Sequence, residues 1–454
     1  MSLNSRIPGF YRLPLSARRE EIATRTNCAL PALVSAVETG GLDAAAADKV
    51  VENVLGIYGL PFGVALNFTV NGQDRLIPMV VEEPSVIAAA SNAARMVRSS
   101  GGFHASMVES LMTAQVQVHD VVDEDAAALR LREASSEILH LATLAVPNLI
   151  ARGGGPRSIE VRSLGEGFVV LHVHVDCKDA MGANLVNTVA ESIGPRIAEI
   201  AQGTLGLRIL SNLCDRRRVR VTCKVHQNDL QKSQESRNSD TEVASPSGNT
   251  SGPSAGGASW PPSTTTAPRE LAQGIAQASR FAELDVYRAA THNKGLMNGL
   301  DAVCVATGND FRAVEAGAHA YAARQGKYQP LATWRHNGEY LEGQLEMPLA
   351  LGIVGGTLRI HPTAKMALAI AQASSADDLA MLAAAAGLAS NLAALRALAS
   401  EGISRGHMSL HARSVAVAAG AIGDEVEHVA RAISEQTSIS LQTAQAVLRR
   451  LRDV

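Results

Sequence analysis

Apolar positions recur along this chain with two different periods. In residues 84–99, PSVIAAASNAARMVRS, Val86, Ala90, Ala93 and Val97 keep helical spacing. Pro84 suits a first turn and Gly101-Gly102 a stop, which puts Glu83 at a helix entrance. From about Met112 to Cys223 the texture changes. QVQVHDV, SIEVRSL, FVVLHVHVDC and RVRVTCKV alternate as strands with one buried face do, and AAALRLREASSEILHLATLA and NLVNTVAESIGPRIAEIAQG between them have helical period. The pattern predicts an antiparallel sheet with helices packed on it, a smaller unit inside a larger α+β chain. The tail, residues 401–454, reads as a further helical unit joined near SEGISRG, placed to move as a lid.

Residues 227–270 break both periods. Serine, threonine, proline and glycine dominate there, so the segment reads as a disordered surface insertion. A length of 454 residues asks for two or three cores. The divisions expected are 1–111 and 224–400 for the larger unit, 112–223 for the smaller one, and 401–454 for the flap.

Composition narrows the function. Lysine plus arginine (41) nearly balances aspartate plus glutamate (44), which argues against a nucleic-acid binder. Five scattered cysteines without a CxxC pair read as reduced thiols. The first residues lack the apolar core of a signal peptide, and runs such as SVAVAAGAI are too short to span a bilayer. A cytoplasmic protein with no membrane association is expected.

Four ionisable positions stand out as candidate chemistry. Glu83 follows the apolar run IPMVVE, and Asp310 ends VATGND before the helix FRAVEAGAHAYAAR. His407 opens the tail in SRGHMSL. Lys294 lies in RAATHNKGLMNG, where Thr291, His292, Asn293 and Gly295 suggest a turn that fixes a cation close to a ligand. Each has a plainer reading: a favourable charge at a helix start, an N-cap, a solvated lysine. His407 and His411 share a helical spacing, but no acid of the HExxH kind accompanies them, so no metal is expected. More specific is DAMGAN (179–184), a small-residue loop between a strand and a helix, whose free N–H groups make an anion site.

Taken in order, ENVLG (52–56), EEPSVIAAAS (82–91), DAMGAN, THNKG (291–295), ATGND (306–310) and GHMSLHAR (406–413) resemble the motifs of hydroxymethylglutaryl-CoA reductase, in its soluble bacterial class II form. The resemblance spans nearly the whole chain outside 227–270. It implies a large mixed helix–sheet substrate domain, an inserted ferredoxin-like cofactor domain and a C-terminal helical flap. It also implies a homodimer with a shared active site. The implied reaction interconverts hydroxymethylglutaryl-CoA with mevalonate and CoA by two nicotinamide hydride transfers through mevaldehyde. Lys294 matches the cation facing the developing oxyanion, Glu83 the acid serving the aldehyde oxygen, Asp310 the carboxylate linking the two, and His407 the acid for the CoA thiolate. Glu52, Ser85, Arg288 and Asn298 match substrate contacts, and Asp179, Met181, Gly182, Asn184 and Asn212 the cofactor region. An aspartate that holds the adenosine ribose in NADH-using relatives is matched here by Val146. Closeness elsewhere favours NADH over NADPH. Two rivals remain in view: a non-catalytic CoA-binding homologue, and a reductase of another acyl-CoA.

Overall fold

A computed structural model describes residues 3–38, 40–231, 267–400, 402, 412–434 and 439–452. The described residues form an α+β protein with two sheets. The first hairpin, β1 (Phe62–Val70) and β2 (Gln73–Val80), turns through Asn71 and Gly72, both at positive φ, the geometry a two-residue hairpin loop needs. Helix α1 (Val86–Arg98) then crosses to β3 (Phe103–Ser110), which lies parallel to β1. Helix α1 begins two residues later than its pattern predicts. Ser85, at φ 80°, occupies the cap, and Pro84 stands outside the first turn.

From β3 the chain passes directly into a second sheet. Its elements are β4 (Met112–His119), α2 (Glu124–Glu133), α3 (Ser135–Leu144), β5 (Gly155–Gly165), β6 (Phe168–Asp176), α4 (Ala183–Ala201) and β7 (Thr204–Leu210). The sheet order β5-β6-β4-β7, antiparallel throughout, with the sequence β-α-β-β-α-β, is a ferredoxin-like arrangement. Met112, Ala114, Val116 and Val118 of β4 face the helices, packing with Leu171 and Val173 of β6 and with Val186, Val189 and Ile193 of α4. The other face of the sheet carries Thr113, Gln115, His172 and His174.

Strand β8 (Arg217–His226) corrects one expectation. Its alternation was assigned to the small sheet, yet it pairs with β3 and with β10 (Tyr340–Pro348). Strand period reports a half-buried strand but not the sheet that buries it. The large sheet runs β2-β1-β3-β8-β10-β9, with β9 spanning Ala332–His336.

Behind it lie α5 (Pro268–Leu284), α6 (Val286–Ala306), α7 (Phe311–Ala322) and α8 (Ala376–Ala399). Helix α8 is long and apolar enough by composition to cross a membrane, and is a longer apolar run than SVAVAAGAI. It is instead the central core helix, with 78% of its most apolar window buried inside the protein. The described C-terminal residues form their own cluster, in which Ala412, Val415 and Ala416 pack with α9 (Glu425–Ser434) and α10 (Leu441–Arg452).

The irregular segment is shorter than its composition suggested. Residues 227–230 form a 3-10 turn with Asp229 and Leu230 buried, and 268–270 are the first turn of α5. The rest of it, 232–266, lies outside the described residues.

Candidate active site

Lys294 does not sit in a turn. Residues Val286–Ala306 are one helix, α6, capped by the Asp285 carboxylate. The polar residues that suggested a turn are its buried anchors. His292 Nε2 lies 3.0 Å from the Ala332 carbonyl, and the Asn293 amide donates to Gln329 O and accepts from Leu331 N. Gly295 and Gly299 let α8 approach; a Cβ on Gly299 would collide with Ser390 Oγ and come within 2.6 Å of Ala386 O. With His292 and Asn293 turned inward, Lys294 points outward, its side chain 63% exposed. The cation is fixed by a helix anchored on its inner side.

Four residues on, the same face presents Asn298. Both side chains reach one oxygen: Lys294 Nζ lies 3.1 Å and Asn298 Nδ2 3.4 Å from Glu83 Oε2. Glu83 belongs to the link between β2 and α1. Next to it, the Ser85 hydroxyl is buried without a hydrogen-bond partner, on a backbone held at positive φ. A buried polar atom left unpaired and a strained non-glycine backbone are both costly, and such features concentrate at working sites. Arg288 is half-buried, and no carboxylate pairs with its guanidinium among the described residues. Burial pulls its pKa below the usual arginine value, so an arriving carboxylate would find a poorly solvated cation.

Asp310 falls short of the expected network. Its Oδ1 accepts from the N–H groups of Arg312 and Ala313, capping α7, and pairs with the Arg312 guanidinium at 3.2 Å. Among the described residues, no hydrogen bond or ion pair joins it to Lys294 or Glu83. The capping geometry holds the carboxylate on its own helix. His407, and with it His411, lies outside the described residues. Glu52 is exposed, in a turn before an open stretch in which Leu55 and Tyr58 are almost fully exposed.

The DAMG loop is set by residues the sequence reading did not single out. Buried Arg217, the first residue of β8, donates to the carbonyls of Ala180 (3.0 Å), Met181 (2.9 Å), Lys178 (3.4 Å) and Leu351 (2.9 Å). In sequence it is one arginine of CDRRRVR, with nothing to separate it from its neighbours. Gly352 presses its backbone against Met181 N, where a Cβ would come within 2.5 Å. The Asn309 amide clamps Gly352 from the other side, donating to its carbonyl (3.1 Å) and accepting from its N–H (2.8 Å). The ATGND and DAMG segments, far apart in sequence, are therefore braced through one glycine.

Gly182, at φ 107°, caps α4 without a side-chain bond, which leaves the first N–H groups of a 19-residue helix open beside exposed Asn184. That end suits a dinucleotide's diphosphate. Asn212 and Met181 border a gap next to α7. Asp179 is partly spoken for, since its Oδ1 accepts from Ala376 N at the start of α8. Val146 is buried in the small core, just ahead of a short helix, Pro147–Ile150.

Known proteins resemble this chain in sequence and fold. The chain matches the family described as hydroxymethylglutaryl-coenzyme A reductase over residues 14–247 and 261–412. It is 44% identical to 3-hydroxy-3-methylglutaryl-coenzyme A reductase of Archaeoglobus fulgidus, covering 99% of this chain and 96% of that one. A probable reductase of the same kind from Borreliella burgdorferi is 32% identical over 81% of this chain and 77% of its own. Among solved structures, the reductase of Streptococcus pneumoniae superposes with a TM-score of 0.78 at 35% identity, covering 98% of this chain and 99% of that one. The class II form from that organism, bound to NADPH in open conformations, gives 0.76 at 36% identity, covering 97% and 100%.

Together the fold and these matches define an NAD(P)H-dependent oxidoreductase of α+β architecture. More narrowly, the chain belongs to the hydroxymethylglutaryl-coenzyme A reductase family and groups with its class II members.

Proposed function

We propose that this chain interconverts hydroxymethylglutaryl-CoA with mevalonate and free CoA, consuming two hydrides and two protons in the reductive direction, through mevaldehyde held in the site. The observation that carries the proposal is the Lys294–Glu83 pair at 3.1 Å, fixed between a core helix and a strand end. The nicotinamide, when bound, supplies hydride; the rest falls to the protein. As a carbonyl carbon accepts hydride, charge grows on its oxygen, and the Lys294 ammonium stabilises it. Glu83, held at the same nitrogen, delivers the proton to the aldehyde oxygen. Asp310, which caps α7 here and contacts neither member of the pair, joins it only by leaving that cap when substrate binds, and His407 protonates the departing thiolate. Arg288 receives the substrate carboxylate, with Asn298 and the unpaired Ser85 hydroxyl as further contacts and Glu52 toward the CoA thioester. The α4 end with Asp179, Met181, Gly182 and Asn184, and Asn212 across the gap, receives the dinucleotide. The same groups serve the oxidative direction.

NADH is the proposed preferred donor. NADPH is the alternative: a Streptococcus pneumoniae relative has been solved bound to it, and Val146 places no carboxylate against a 2′-phosphate. Turnover with each dinucleotide decides between them. The exposed Leu55 and Tyr58 support an interface with a second copy; a cytoplasmic homodimer whose C-terminal helices close over a shared site is the assembly proposed.

Lys294→Ala tests the central claim. Cofactor oxidation with hydroxymethylglutaryl-CoA and with mevaldehyde should both fall by about 10²–10³, with dinucleotide affinity retained. His407→Gln should damage mainly the thioester half. Full mevaldehyde reduction by Lys294→Ala would end the proposal.

A further inference from the structure

The second face of the small sheet is polar and, for such a face, well sheltered. Thr113 stands opposite His174, and Gln115 opposite His172, in direct register across β4 and β6. With residues 211–218, the far end of α7 and Glu346 of β10, this face walls a cavity of about 710 Å³. None of Glu83, Lys294 or Asp310 lines it. Asp310 caps one end of α7 and Tyr321 lies near the other, about 16 Å away at 1.5 Å per residue.

Charge in the cavity is unevenly matched. Arg216 takes up Glu109 (3.3 Å) and Glu160 (3.4 Å), and Arg218 takes up Glu346 (2.8 Å). That leaves the guanidiniums of Arg162 and Arg324 without a carboxylate partner among the described residues, with Asp215 the one lining acid not taken up, although the lining in total sets four arginines against four acids. Arg324 lies over the Tyr321 ring at 3.5 Å and donates to that residue's carbonyl. On the floor, His174 is 2% exposed. Its Nδ1 meets Thr113 Oγ1 at 3.2 Å, while its Nε2 has no hydrogen bond, the nearest carboxylate oxygen being Glu160 Oε2 at 3.6 Å. Burial first, and then Arg216, hold this imidazole below its usual pKa; burial does the same for His172. Both rings therefore favour the neutral form, and the His174 Nε2 is a buried ring nitrogen without a hydrogen-bond partner in the cavity wall.

We propose that this cavity is a second binding site, for a small anion bearing phosphate or carboxylate groups, gripped by Arg162 and Arg324 and received by His174. Its partition gives it a further consequence. Ser211, Leu213 and Asp215 face the cavity, while the alternate residues Asn212 and Cys214 face the gap beside Met181. Asn212 cannot recede freely, because its carbonyl lies against Gly317 of α7 where a Cβ would collide. An anion pressing on one side of this strip changes dinucleotide affinity on the other. That coupling, unlike the binding itself, rests on Asn212 being a cofactor contact.

The test titrates inorganic pyrophosphate, and separately succinate, into the full chain at constant ionic strength by calorimetry. The comparison is Arg162→Gln/Arg324→Gln, whose exposed positions leave folding intact. Expected is binding of at least one anion in the millimolar range or tighter, weakened at least about tenfold in the double variant. Binding of pyrophosphate alone assigns phosphate, and of succinate alone carboxylate. Equal affinity in the double variant, which would place the anion elsewhere, such as the α4 end, overturns the proposal, as does no binding of either. NADPH affinity should shift with bound anion in the wild type and not in the double variant; the same shift in both refutes the coupling. None of these readouts depends on reductase turnover, so they stand or fall apart from the proposed function.

Discussion

One substitution made at two positions a helical turn apart tests how Lys294 is held. Gly295 and Gly299 both lie in α6 against α8, and in a free helix alanine at either would gain up to about 1 kcal/mol over glycine. Their surroundings differ. A Cβ at 295 would meet only the Ala394 Cβ, at an ordinary 3.6 Å. At 299 it would collide with Ser390 Oγ, which can rotate away, and come within 2.6 Å of Ala386 O, which is backbone and cannot. The helices must then part by several tenths of an ångström, and overpacking of this kind costs about 1–3 kcal/mol. Gly295→Ala should therefore be neutral or stabilising by up to about 1 kcal/mol, and Gly299→Ala destabilising by roughly 1–2 kcal/mol. Urea midpoints measured side by side give the difference. Because α6 carries Lys294 and Asn298 to Glu83, Gly299→Ala should also lower turnover where Gly295→Ala does not. Equal midpoints and equal turnover for the two variants would refute the account of α6 as a helix seated through Gly299.

Two further outcomes are expected. Arg217→Met strips four carbonyls of a buried charged donor and should cost about 3–5 kcal/mol, by analogy with breaking a buried ionic contact. Calorimetry should show the lower Tm, and dinucleotide titration a weaker Kd as the DAMG loop loosens; unchanged affinity in the folded variant would separate Arg217 from the cofactor. Burial lowers the His292 pKa to about 4, against 6.5 for the exposed ring, so folding favours its neutral form. Its contribution, about 3 kcal/mol, is complete above pH 6.5 and is lost as pH falls toward 4. Urea midpoints at pH 7 and pH 4.5 should show a larger acid loss for the wild type than for His292→Gln; matching losses would remove His292 as the cause.

The sequence by itself determined the class of most long segments and much of the chemistry. Alternation in β4 and β6 and helical spacing in α4 gave an antiparallel sheet with helices packed on it, because one buried face imposes its period on the residues that fill it; its ferredoxin-like strand order came from the pairing. The glycine and small residues of DAMGAN marked the open end of α4. Lys294, Glu83 and Asn298 were legible as reactive types, but that they meet at one carboxylate oxygen was not. Nothing local ties a strand end to a helix face more than two hundred residues further on. The misreading of THNKG has the same origin. His292, Asn293 and Gly295 look like turn residues until α6 is seen anchored through the first two and lying against α8. Arg217, Asn309 and Gly352 had no signature, since each acts on backbone carbonyls or N–H groups of distant segments, and backbone carries no residue-specific pattern. The placement of β8 in the large sheet likewise followed from partners rather than from its own residues. Period and composition are set within a segment; what a side chain touches is set by packing between segments, and the site is made of such contacts.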